Sequence, residues 1–309
     1  MTISPPFASI TSAEGLEIIY QSSTDDTLWA AQAPDSSNWT ITSHLPAGIT
    51  TQRAPAAVFW KGATYVLYCS SANDGTLWIT NNSNGVSSWS NTTQLPKAIT
   101  TFATPALVVN ETSNSLWAIF ISSSGDETLW LTTSQDGQNW SLSHLPAAIT
   151  TSAAPAATVF AGYVYVMFRS STDQTLWVTK SNDGATWDLH QLPPAITTNG
   201  SPALTSMNGM LYAVFGSSTD KTLWITKSND GVTWDLHQLP SGITTTQPPT
   251  ITSFNNCLYV LYQSSTDDTI WLASSTDGVT WDGPTHLPLA ITVGPNGGSG
   301  SGPLPLIGP

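Results

Sequence analysis

The sequence predicts an all-β fold, a six-bladed β-propeller of four-stranded antiparallel blades. Three observations predict it. A seven-residue phrase recurs six times at nearly fixed spacing. Each unit between recurrences divides into four short apolar runs separated by turn residues. Tryptophan falls at two fixed positions of every unit.

The phrase first reads His44-Leu45-Pro46-Ala47-Gly48-Ile49-Thr50 and returns from Gln94, His144, Gln191, Gln238 and His286, in steps of 50, 50, 47, 47 and 48 residues. A fixed period of this size marks solenoids, propellers or arrays. It overrides the prior of about two domains that the length alone suggests. The units span about 4–50, 51–100, 101–150, 151–197, 198–244 and 245–292, so the propeller is expected over 1–292. Residues 293–309 form a Gly/Ser/Pro-rich tail, linker-like from Gly294 to Gly302 and more apolar from Pro303.

Unit five shows the strand pattern most clearly. Pro202 to Met207 reads as the first strand and Leu211 to Phe215 as the second. Asn208-Gly209 joins them, a two-residue hairpin turn whose positions both accept positive φ. Ser217 to Lys221 forms the next turn, Thr222 to Lys227 the third strand, and Ser228-Asn229-Asp230-Gly231 a further turn. Thr233 to His237 is the fourth strand. Short strands with turn signals every 8–12 residues argue for an all-β architecture. The phrase then supplies a connection of eight residues before the next proline. A propeller needs this length, because the chain must cross three inter-strand gaps, roughly 15 Å, from outer strand to next inner strand. Four to eight four-stranded blades are the usual range.

Third strands carry Trp29, Trp78, Trp130, Trp177, Trp224 and Trp271, and fourth strands are expected to carry Trp39, Trp89, Trp140, Trp187, Trp234 and Trp281. Large rings at fixed positions suit blades that pack face to face. The units begin with an inner strand and end with an outer one, so no strand is evidently shared to close the ring. Closure is left to packing, to Met1–Phe7 or to the tail.

Composition narrows the partners. The chain is 40% hydrophobic and only 9% charged, with a net charge of −13 and seven Lys plus Arg. Seven scattered cations form no basic stripe, so nucleic acid is not expected as a partner. No apolar run approaches the ~20 residues of a membrane span, so no membrane insertion is expected. The start, Met1-Thr2-Ile3-Ser4-Pro5-Pro6, lacks the basic and apolar regions of a secretory signal. The expectation is a cytoplasmic protein or one exported by another route. Cys69 and Cys257 sit in units two and six, which are not ring neighbours, so two free thiols are expected. No His/Cys/Asp cluster has metal-ligand spacing, and neither a metal nor another cofactor is expected.

Two polar turns repeat. The first reads Ser181-Asn182-Asp183-Gly184-Ala185-Thr186-Trp187, with counterparts at Ser228 to Trp234 and Ser275 to Trp281. Unit three keeps Ser134-Gln135-Asp136-Gly137, while units one and two drift. These segments resemble the Asp-box turn of sialidase-like propellers, one residue shorter. The whole repeat is similar to bacterial propeller lectins of the Photorhabdus type, which are seven-bladed and bind fucose or related sugars. In blade number it is nearer the six-bladed fungal fucose lectins. The resemblance implies a sugar-binding propeller. The Asp of this turn reads as structural, a cap on a hairpin.

The second turn reads Ser22-Ser23-Thr24-Asp25-Asp26-Thr27-Leu28-Trp29. Its acidic counterparts are Asp74, Asp126, Asp173, Asp220 and Asp267. Units two and three carry an extra residue here and are where equivalence is expected to fail first. Alternate connections of a meander share a face, so this turn lies with the long connection, opposite the Asp-box-like turns. The candidate ligand-binding residues are Asp25, Asp74, Asp126, Asp173, Asp220 and Asp267 with Trp29, Trp78, Trp130, Trp177, Trp224 and Trp271. A carboxylate with neighbouring hydroxyls suits vicinal sugar hydroxyls, and a Trp edge suits the apolar face of a pyranose. The plain alternative is a hairpin turn with a packed Trp.

No catalytic residue is expected. A sialidase, on family resemblance, would need three arginines on the substrate carboxylate, and this chain has Arg53 and Arg169 alone. Other glycosidases need two carboxylates about 5–10 Å apart, whereas here nearly all Asp belongs to the repeat. The expected function is a multivalent lectin, binding glycans or glycoconjugates through repeated shallow sites, with fucose or related sugars as ligands. The alternative is a non-catalytic adhesion scaffold for protein partners, and a glycoside hydrolase ranks below both. Assembly into a homo-oligomer is left open.

Overall fold

The computed structural model describes residues 7–12, 15–22, 25–34, 38–46, 48–51, 53–72, 74–82, 89 and 92–287. It is a six-bladed β-propeller. Six sheets each hold four antiparallel strands, and within every sheet the spatial order is the chain order. The inner strands are Phe7–Ser12, Ala56–Trp60, Ala106–Asn110, Ala156–Phe160, Ala203–Met207 and Thr250–Phe254. The outer strands are Thr40–His44, Thr93–Gln94, Ser141–His144, Asp188–Gln191, Asp235–Gln238 and Asp282–His286.

Burial follows from the stacking of blades. The second strand Ser115–Ile121 is buried along its whole length because both its faces meet a neighbouring blade. The outer strand Ser141–His144 is exposed along its whole length. Outer strands are short and polar, which blunts the one open edge each blade presents. The core is divided among six apolar clusters, one at each joint between blades.

Packing closes the ring. Phe7, Leu16, Ile18 and Tyr20 of blade 1 cluster with Tyr259, Leu261, Ile270 and Leu272 of blade 6. Across the same joint Ser9 Oγ and Thr250 Oγ1 lie 3.0 Å apart. Among the described residues no strand is exchanged between the first and last sheets. Met1–Pro6 and the tail lie outside the described residues.

The hairpins join inner to second strands as their sequences require. Lys61-Gly62, Ala161-Gly162, Asn208-Gly209 and Asn255-Asn256 all hold positive φ at both positions. Unit three replaces this pair with residues 111–114, so blade 3 carries a longer hairpin. One expectation needs correction. Trp39, Trp140, Trp187, Trp234 and Trp281 each stand one residue ahead of the outer strand, and Trp89 makes only an isolated bridge to Asn82. Their rings turn into the joints from the turn itself, where the short edge strand has not yet begun to pair. Cys69 and Cys257 are both free thiols, and burial pushes the Cys69 thiol up to about 12.

Candidate functional site

One face of the ring carries the turns between second and third strands together with the long connections. A single hydrogen-bonded chain recurs there in all six blades. The Trp Nε1 of Trp29, Trp78, Trp130, Trp177, Trp224 and Trp271 donates to Oγ1 of the threonine two residues earlier, at 2.9–3.1 Å. That threonine hydroxyl donates to Oδ1 of Asp25, Asp74, Asp126, Asp173, Asp220 or Asp267 at 2.7–2.8 Å. The same Oδ1 also accepts the threonine backbone N–H at 2.9–3.2 Å. This is an Asx-type turn, in which the side chain replaces a backbone acceptor.

The six aspartates are exposed and the six tryptophans half-buried. The threonine hydroxyl bond holds five of the carboxyls below their usual range, and the Thr76 backbone amide does most to lower Asp74. All six are therefore anionic at neutral pH. The ring of Trp29 meets His44 edge-on at 4.6 Å, as Trp130 meets His144 at 4.6 Å and Trp271 meets His286 at 5.0 Å. Glutamine takes the histidine's place in the other blades, and Gln191 Nε2 donates to Thr175 Oγ1 at 3.2 Å.

The predicted Asp and Trp of each blade are thus joined, but not as separate ligand groups. The indole N–H and Oδ1 serve the turn. A serine hydroxyl of the same turn, from Ser22, Ser124, Ser170, Ser217 or Ser264, also helps to lower five of the carboxyls, and part of each indole ring stays exposed. Sequence reasoning missed the threonines that join them, Thr27, Thr76, Thr128, Thr175, Thr222 and Thr269. Their signal is present, since Asp-x-Thr-Leu/Ile-Trp occurs in every unit.

The residue after each Asp is left-handed: Asp26, Gly75, Glu127, Gln174, Lys221 and Asp268 have φ between 58° and 70°. Holding a side-chain-bearing residue there costs about 1 kcal/mol or more. The geometry aims the carbonyl of that residue at the connection to the next blade. Thr51, Thr101, Thr151, Thr198 and Thr245 donate their N–H to it at 2.8–3.2 Å. The preceding threonine then clasps the next blade. Thr50–Ser71, Thr100–Ser123, Thr150–Ser171, Thr197–Ser218 and Thr244–Ser265 pair hydroxyl to hydroxyl at 2.5–2.9 Å. Each of these joints therefore presents a carboxylate and hydroxyls in a fixed frame.

The opposite face carries the Ser-x-Asp-Gly turns, and their hydrogen bonds are local. Asp183 Oδ1 accepts the N–H of Ala185 and Thr186 at 2.8 Å each and the Ser181 hydroxyl at 2.9 Å. Such bonds, backbone amides foremost, pull Asp183, Asp230 and Asp277 down to about 2. A cavity of about 470 Å³ opens here between blades 3 and 4, lined by Ser113, Trp117, Asp136, Asn139, Asn182 and Asp183. Along the ring axis, inner strands line a channel of about 350 Å³ that includes Ser9, Phe59, Thr158 and Ser206.

The two arginines lie in different blades. Arg169 Nη1 donates to the Asn199 carbonyl at 3.0 Å, and Nη2 donates to Ser152 Oγ. Arg53 is half-buried. Among the described residues no group of three or more His, Cys, Asp or Glu could hold a metal ion.

A variant of the Aleuria aurantia lectin in complex with Fucα1-6GlcNAc is similar in structure. The TM-score is 0.72 at 16% identity, over 92% of this chain and 96% of that one. AofleA from Arthrobotrys oligospora has a TM-score of 0.68 at 12% identity, over 96% and 88% of the two chains. A Hadza microbial sialidase reaches 0.66 at 16% identity, over 88% of this chain and 65% of that one. At such identities the likeness is one of fold. None of the curated proteins compared matches the sequence. The model of the BNR repeat-like domain matches residues 14–241, well over half of the 309, and the chain belongs to that family.

Proposed function

We propose that this protein is a multivalent lectin whose sites lie on the face bearing the Asp-Thr-Trp chains, with fucose or a related sugar as the first candidate ligand. One observation carries the reading. Six exposed, ionised carboxylates are held in one orientation by the threonine beside each, around a rigid ring. A preorganised carboxylate oxygen accepts hydroxyl protons from a sugar with little ordering cost on the protein side. The candidate residues are Asp25, Asp74, Asp126, Asp173, Asp220 and Asp267, with the half-buried Trp of each blade beside them. Sugar sites of this open kind are individually weak, and several on one ring gain avidity of about 10²–10⁴ on a clustered glycan surface. The Aleuria aurantia lectin, similar in fold, has been solved with Fucα1-6GlcNAc and with α-methyl-L-fucoside.

The family match and the sialidase neighbour favour a second reading, a glycoside hydrolase. The arginines weigh against it. Arg169 is committed to the Asn199 carbonyl and Ser152. The repeated aspartates lie one per blade, whereas glycosidases pair two carboxylates about 5–10 Å apart. A glycan array with the folded protein tests the proposal. Binding that falls when Asp173 and Asp220 are changed to Asn supports it. Absence of binding to every glycan overturns it. Turnover of aryl glycosides would establish the hydrolase instead.

A further inference from the structure

The six Asp-Thr-Trp chains are alike, but the surface beside them is not. At the joint of blades 2 and 3 the left-handed residue is Gly75, whereas the other blades place Asp26, Glu127, Gln174, Lys221 and Asp268 there. The connection residue beside it is Phe102. Its counterparts after Thr151, Thr198 and Thr245 are Ser152, Asn199 and Thr246. The two differences belong together. A Cβ on Gly75 would lie 3.5 Å from Phe102 Cε1 and 2.9 Å from the Thr101 carbonyl oxygen. The phenyl ring thus lies against the turn at van der Waals distance, at the one joint where the left-handed residue has no side chain.

Phe102 is 49% exposed, the highest value among the large hydrophobics of the described residues. It stands one residue beyond Thr101, whose N–H donates to Gly75 O at 2.8 Å. Asp74, the exposed carboxylate of this blade, immediately precedes Gly75. Thr100 Oγ1 and Ser123 Oγ pair nearby at 2.5 Å. An apolar ring, an anionic acceptor and hydroxyls therefore converge at this joint. At the next three joints the ring's place is taken by a small polar residue.

We propose that the joint of blades 2 and 3 is the strongest sugar site of the ring and that Phe102 is its specificity-determining residue, facing the apolar side of the ligand while Asp74 accepts its hydroxyl protons. The inference rests on the lectin reading. Its ligand class is a pyranose with a pronounced apolar patch, such as a 6-deoxy sugar with its exposed methyl group. Polar counterparts elsewhere make the remaining sites weaker, so the ring is graded rather than sixfold equivalent.

Calorimetric titration tests this with α-methyl-L-fucoside and the methyl glycosides of galactose, mannose and N-acetylglucosamine. The wild-type chain is expected to show one strong site with a set of weaker ones. Phe102→Ala should weaken the strong site at least about tenfold, the scale of one lost aromatic contact. Phe102→Trp should retain it, and Leu142→Ala, which removes an exposed apolar residue from an outer strand, should leave it unchanged. Near-UV circular dichroism and thermal unfolding verify that each variant is folded. Identical sites in the wild type, or unchanged binding in Phe102→Ala, overturn the inference and leave the lectin reading standing. Binding of none of the four sugars by the wild type overturns the inference, while the lectin reading falls only if the glycan array is empty as well.

Discussion

The joint between blades 1 and 2 and the joint between blades 3 and 4 share one strand register and are filled in opposite ways. In blade 3 the second strand sends Trp117 toward blade 4, where its ring lies 6.3 Å from that of Trp187. A Cβ on Gly184 would stand 3.2 Å from its Cη2. Tyr65, Tyr165 and Tyr212 sit in the same way against Gly137, Gly231 and Gly278 of the blades that follow. In blade 1 the equivalent residue is Glu17, opposite Ile10 and Gln32 as Trp117 is opposite Val108 and Thr133. Glu17 is 1% exposed. Its Oε2 accepts the Thr64 hydroxyl at 3.0 Å, and Thr64 occupies a position held by Leu or Val in the other second strands. Among the described residues, Glu17 Oε1 and Asn82 Oδ1 are buried with no hydrogen-bond partner. Burial pushes the Glu17 carboxyl up to about 7. One repeat position therefore carries either an aromatic ring or a proton, and the contrast locates where blade-to-blade cohesion is decided.

The largest expected effect removes the ring. Trp117→Ala should cost about 3–5 kcal/mol in denaturant unfolding, the range for deleting a large buried aromatic. A loss below about 1 kcal/mol would mean that the joint does not depend on it.

Titration of Glu17 comes next. Its pKa is raised on folding, so between the ordinary value of 4.5 and about 7 the folded state holds a proton that the unfolded chain has released. Its stabilising contribution is full below about 4.5 and is lost as pH rises through about 7. The shift corresponds to about 3 kcal/mol between pH 4.5 and pH 8. The turn aspartates have depressed values and act in the opposite sense, losing their contribution only at acid pH, for Asp183, Asp230 and Asp277 as pH falls through about 2. Unfolding at pH 5 and pH 8 should show the wild type losing stability relative to Glu17→Gln, and parallel profiles would rule Glu17 out as the source.

A smaller effect tests the glycine side of the aromatic joints. Gly231→Ala would place its Cβ 2.4 Å from Tyr165 Cε1 at φ +76°, whereas Gly209, at φ +73°, has nothing within 4 Å of a Cβ. Both substitutions strain the backbone, so the excess loss in Gly231→Ala, about 1–3 kcal/mol by unfolding, measures the clash with the ring. Equal losses would show that the tyrosine moves aside freely. The smallest effect belongs to Thr64→Val. It removes the one hydrogen bond that favours ionised Glu17, so the pH midpoint should rise and stability at pH 8 should fall by about 1 kcal/mol. An unchanged midpoint would detach Thr64 from the titration.

The fold was legible because its signals are local. Asn208-Gly209 and its relatives mark hairpins, and the short apolar run of each second strand needs no distant partner to be recognised. Five of the tryptophans expected on fourth strands stand one residue ahead of them and Trp89 stands four ahead, because the outer strand is a short edge whose start depends on pairing. At the candidate site, Asp25 and Trp29 with their repeats could be read from the turn chemistry. Thr27 and its repeats were visible in the pattern, yet their role as the link between carboxylate and indole appears only when the turn is folded.

Glu17 and Phe102 lay beyond sequence reading for a different reason. A repeat alignment shows that they differ from their counterparts, but not what each one faces. The sequence by itself determined six blades of four strands, the two unlike faces and the turn residues, since these depend on neighbours along the chain. The tertiary structure decided that Glu17 is buried at the joint with blade 2 and that Phe102 lies exposed across Gly75. Burial and exposure at a joint depend on residues about one repeat away, brought into contact only when the ring closes.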